Sequence, residues 1–94
     1  MARFRILYWH QIPSVVEVRD EQGVRKKELS ARFQELIDRV AMRKKLVGTD
    51  AYLEGWHRGR AEQRDGNADE VAQSVVAELE ASYETIAASV AEDQ

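Results

Sequence analysis

Two histidines, His10 and His57, each follow a tryptophan, Trp9 and Trp56. Histidine serves as a metal ligand or proton carrier when further ligands or a carboxylate stand at a suitable spacing. Neither histidine has one, so a structural or solvent-facing role accounts for both. Asp38 and Asp50 are available as paired carboxylates, yet nothing in the sequence brings them together; a helix face and a helix N-terminus explain them with less. No serine lies in a nucleophile elbow, and Gly55 with Gly59 forms neither a P-loop nor a dinucleotide fingerprint. The chain has no cysteine, which excludes a disulfide framework, a thiolate nucleophile and a thiolate metal site. These readings point to no catalytic residue, no metal and no cofactor. An enzyme acting on an anionic substrate would need Arg32, Asp38 and His57 united in one polar pocket.

Recognition chemistry is better represented. Tyr8, Trp9, Tyr52 and Trp56 stand near Pro13 and near arginines, a composition shared by buried cores and by the anchors of protein interfaces. Arg39, Arg43, Lys44, Lys45, Arg58, Arg60 and Arg64 are placed to contact phosphates if they share a helical face. The same residues read equally as a solvated, salt-bridged surface, because Glu35 precedes Arg39 and Glu54 precedes Arg58 by one helical turn. Residues 1–64 hold all fourteen basic side chains against nine acidic ones, a net of +5, whereas residues 65–94 hold eight acids and no Lys or Arg, a net of −8. Either an anionic partner meets the basic part, or the acidic end lies against its own chain.

The elements that position these residues follow from hydrophobic periodicity. Residues 3–9 alternate as a strand, with Phe4, Ile6 and Tyr8 on one face. Pro13 ends pairing locally, and residues 14–20 and 24–29 form a hairpin over the three-residue loop Glu21–Gln22–Gly23. Lys26 and Lys27 mark the third strand as an exposed edge. Phe33, Leu36, Ile37 and Val40 share one helical stripe, with Ser30 as N-cap and Gly48 as the stop, which predicts a helix over 30–47. A second helix is predicted over 50–64, where Gly55 and Gly59 signal either a close backbone or a frayed second half. Asn67 and Glu70 form a capping box for a long helix over 68–91, and the last four residues fray. Ala72, Val76, Leu79, Tyr83, Ile86 and Val90 alternate spacings of four and three, so the end of that helix either presents a seam to a second helix or lies on its own domain.

The strings ILYWHQIP, LSARFQELIDRVAM and GTDAYLEGW resemble the small bacterial virulence factor family, also found as one domain of the longer conserved virulence factor C proteins. The resemblance covers residues 3–57 and matches Tyr8, Trp9, Pro13, Arg32, Phe33, Asp38, Met42, Asp50, Tyr52 and Trp56. It assigns none of them a role. It implies a partner from one-carbon metabolism, an enzyme of methyltetrahydrofolate or corrinoid methyl transfer.

The resulting expectation is a single α+β domain over 1–94, a small antiparallel sheet of three N-terminal strands packed against three helices. It is cytoplasmic, because no signal peptide or apolar span is present. Its function is that of a non-catalytic interaction module or accessory subunit. Tyr8, Trp9, Pro13, Arg32, Asp38, Asp50, Tyr52 and Trp56 are candidate partner contacts, and the Tyr83, Ile86 and Val90 seam serves a second contact or self-association. The alternative is a nucleic-acid-binding domain using the basic helices.

Overall fold

The computed structural model describes residues 1–92, so the predicted fraying falls partly on Asp93 and Gln94, outside the described residues. The chain runs β1 (Ala2–Trp9), β2 (Ile12–Asp20), β3 (Gly23–Glu28), α1 (Ala31–Arg43), α2 (Asp50–Glu54), β4 (Trp56–Arg58), β5 (Glu62–Arg64), α3 (Ala68–Ala81) and α4 (Tyr83–Glu92). This is an α+β fold whose antiparallel sheet has the order β3-β2-β1, with β4 and β5 sharing the far edge of β1. Its N-terminal third forms the three predicted strands, and β3 is an edge.

Period-two alternation sends Phe4, Val16 and Val18 inward, where Phe4 pairs with Val18 and Ile6 with Val16. The predicted stripe of α1 and the residues Ala68, Val71, Ala72 and Val75 of α3 close over that face. The opposite face of the sheet carries Arg3, Arg5, Glu17 and Arg19, the three arginines exposed, and among the described residues no helix covers it.

Turn chemistry corrects three predicted details. The hairpin loop is Glu21–Gln22 alone, because Asp20 already pairs with Gly23, whose φ is +141°. Pro13 does not end pairing; it sits opposite Tyr8, where the register slips by one residue, a bulge that tolerates the missing N–H. The first helix ends at Arg43, well before Gly48. Lys45 takes the left-handed position at φ +60°, with Leu46 N–H donating to the Ala41 carbonyl at 2.8 Å and Lys45 N–H to Met42 at 3.1 Å, the paired bonds of a Schellman stop.

Residues 50–64 are not one helix. Only Asp50–Glu54 is helical, capped by the Thr49 hydroxyl, which accepts from Tyr52 N–H at 3.3 Å. The rest of the segment is a bulged edge strand: Trp9 pairs with Trp56 and Leu7 with Arg58, but Phe4 pairs with Glu62, one residue out of step. The two glycines make room for side chains. A Cβ on Gly55 would stand 2.7 Å from Trp9 Nε1, and one on Gly59 would stand 2.9 Å from Tyr8 Cε2.

The long acidic helix also breaks, at Ser82, whose hydroxyl donates to the Glu78 carbonyl at 3.0 Å and competes with the helical ladder. Asn67 and Glu70 do form the capping box that starts α3. The turn at Ser82 lays α4 against α1, with the Phe33 and Tyr83 rings edge to face at 5.1 Å.

Candidate functional site

Tyr8, Trp9, Tyr52 and Trp56 are brought together at the end of β1. Trp9 is fully buried, and its indole N–H donates to the Tyr52 carbonyl at 2.8 Å, fastening α2 to the sheet. The Trp9 and Tyr52 rings lie 5.6 Å apart, and Tyr52 meets Trp56 edge to face at 6.3 Å. Tyr8 stacks on its cross-strand neighbour His57 at 5.6 Å; burial first, then the charge of Glu62, raises its hydroxyl above the ordinary tyrosine range.

His10 occupies the turn beside this cluster with φ +54°, a left-handed conformation costly for a residue with a Cβ. Its backbone is held from both sides, by N–H donation to the Gly55 carbonyl at 2.9 Å and by His57 Nε2 at 2.8 Å from its own carbonyl. Burial, then Lys44 and His57, lower the pKa of its ring, so the neutral imidazole is favoured. The two histidines thus hold this turn together, and of the four aromatic residues Trp9 alone is buried in the core while Tyr8, Tyr52 and Trp56 are half-buried.

Three of the sequence candidates, Trp9, Pro13 and Val90, are buried. Tyr83 and Ile86 are half-buried against the chain's own core, so the seam is occupied by α1. Asp38 is exposed and accepts from Gln34 Nε2 at 3.0 Å, while Asp50 is exposed in the first turn of α2. Arg32 grips Glu80, with Nη2 at 3.0 Å from Oε1, and lies 4.4 Å over the Tyr83 ring. Arg32, Asp38 and His57 therefore have three separate partners, and no contact links them among the described residues.

The acidic end lies against its own basic chain. Arg25 pairs with Asp69 at 3.1 Å, Arg32 with Glu80 at 3.0 Å, and Arg64 with Glu78 at 2.7 Å. The Arg64 hydrogen bond leads in holding Glu78 below the usual carboxylate range. The basic helical face does not assemble either: Arg58 and Arg64 stand on strands, Arg58 bonded to Glu17 at 2.8 Å. Among the described residues no group of three metal-binding side chains comes together, and no helix is long and apolar enough to cross a membrane.

Two surfaces escaped the sequence reading. One is the uncovered sheet face, legible only once strand register places Arg19 beside Arg3. The other is the corner between α1 and α2, where Met42, Val47 and Leu53 are 63%, 61% and 65% exposed. Met42 falls outside the buried stripe of α1, which was the available signal; Leu53 shares the period of Tyr52 and Trp56 and gave none.

No curated protein and no solved structure matches the chain significantly. The virulence factor family model matches residues 7–88, from the end of β1 through the aromatic cluster and α3 into α4. On that match the chain belongs to the virulence factor family.

Proposed function

We propose that this protein is a non-catalytic interaction module, an accessory subunit that docks on a protein partner through the corner between α1 and α2. The observation that carries the reading is the exposure of Met42, Val47 and Leu53 within one short segment. Isolated exposed apolar residues are ordinary; three large ones within twelve residues, at the end of α1, in the connection and in α2, suit an interface. Arg43, Lys44 and Lys45 interleave with them, so the fitting occupant is a partner segment that is apolar at its centre and acidic at its rim. Tyr52 and Trp56, half-buried beside the corner, supply aromatic anchors.

The family resemblance makes a methyltetrahydrofolate- or corrinoid-dependent methyl-transfer enzyme the first partner to test. The experiment is a nuclease-treated affinity capture from native lysate with three baits: wild type, Val47→Lys/Leu53→Lys, and Glu21→Gln as a surface control. A stoichiometric partner held by wild type and control but lost from the corner variant supports the reading. Equal capture by all three baits overturns it. Direct titration of the captured enzyme against the same variants then gives the affinity.

A further inference from the structure

On the uncovered sheet face, Arg3 and Arg5 of β1, Glu17 and Arg19 of β2, and Arg58 of β4 line one concavity of about 440 Å³. Four guanidiniums against one carboxylate leave it strongly positive, although the whole chain is net −3. Arg3 stands directly opposite Arg19 in the ladder. Like charges so placed destabilise an antiparallel pair, and neither arginine has an ion-pair partner among the described residues. Arg5 faces Glu17, but that carboxylate is already bonded by Arg58 Nε at 2.8 Å and approached by Lys26 at 3.8 Å. Glu17 therefore holds Arg58 through Nε, and among the described residues the terminal nitrogens of Arg58 have no hydrogen-bond partner.

Guanidinium forks match phosphate oxygens two at a time, and an anion between Arg3 and Arg19 turns their repulsion into shared attraction. The rest of the lining is Phe4, Val18, Val24 and Ala61, and Phe4 is buried, so its ring offers no open platform on which bases could stack. The concavity also has the volume of a small-ligand site rather than of a long groove. We propose that it binds a small anion bearing two or more linked phosphates, of the inorganic polyphosphate or nucleoside di- and triphosphate class. This site is separate from the docking corner and does not depend on it.

Titration calorimetry at low salt, with sodium tripolyphosphate, ATP, orthophosphate and an oligothymidylate as probes, tests the assignment. Tripolyphosphate should bind saturably and more tightly than orthophosphate. Arg3→Gln/Arg19→Gln should weaken it by about tenfold or more, and Arg39→Gln/Arg43→Gln on α1 should leave it unchanged. Because the first variant removes a like-charge pair, its melting temperature should not fall below wild type, which separates lost binding from lost fold. ATP binding more tightly than tripolyphosphate would support the site and assign the nucleoside source. Absence of saturable binding to either polyphosphate, equal loss in the α1 variant, or tighter binding of the oligothymidylate would overturn it.

Discussion

Glu80, at the end of α3, caps the helix that Ser30 begins. Its Oε2 accepts from the Ser30 backbone N–H at 2.7 Å and its Oε1 from the Ser30 hydroxyl at 2.8 Å. Arg32 completes the clamp from the first turn of α1, donating to Oε1 and, at 2.7 Å, to the Glu80 backbone carbonyl. Ser30 makes no side-chain bond to its own helix, so the cap sought in its hydroxyl is delivered by a carboxylate from elsewhere.

Glu80→Ala should accordingly cost about 1–2 kcal/mol, a cap-sized loss. Ser30→Ala removes a single hydroxyl bond and should cost about 0.5–1 kcal/mol. Urea denaturation of both variants and their double mutant checks this; a double mutant equal to the sum of the singles would show that the two residues do not act together.

Acid should unfold the protein through carboxylates held below their ordinary values. At Glu80, burial pushes the pKa up, but the Ser30 bonds and the Arg32 charge outweigh it. For Asp20 the leading cause is the Ala68 N–H, followed by that of Gln22. A group whose folded value is depressed contributes stability above its unfolded value and loses it as pH falls through the folded one. Melting temperature should therefore hold steady at neutral pH and decline below about pH 4, the unfolded carboxylate range. Glu80→Gln should make that decline shallower; an identical acid limb would remove Glu80 from the account.

Gly55→Ala separates the observed fold from the helical alternative by sign. Inside a helix the change would stabilise by about 1 kcal/mol. Here the new methyl meets the buried Trp9 indole, which cannot retreat, so a loss of about 1–3 kcal/mol is expected. Thermal melting reads the sign directly.

Tyr83→Glu and Ile86→Glu should unfold the protein rather than merely dissociate an assembly. Tyr83 packs on Phe33 and Ile86 on the core, so each substitution drives a charge into an apolar contact. Far-ultraviolet circular dichroism beside size-exclusion chromatography distinguishes the outcomes: a folded variant with altered mass would restore the seam as a contact between chains.

Period and capping are local properties, which is why the β2–β3 hairpin, the apolar stripe of α1 and the Asn67–Glu70 box could be read from residue order. Each is specified by side chains within a few positions of one another. Residues 50–64 were not legible in the same way: Tyr52, Leu53 and Trp56 fit a helical period, and only pairing with β1 at the opposite end of the sequence makes 56–64 an edge strand. The same holds for the seam of Tyr83, Ile86 and Val90, whose spacing suits any apolar neighbour. That α1 is the neighbour depends on the turn at Ser82 and on the Arg32–Glu80 clamp. The aromatic cluster was recognisable by type, but burial made Trp9 core. The arginine face came from register, because Arg3 and Arg19 become neighbours only across a hydrogen-bonded ladder. Composition and period thus determine which elements exist and which side each buries; long-range pairing alone decides which charged side chains converge, since convergence is a property of distance in space.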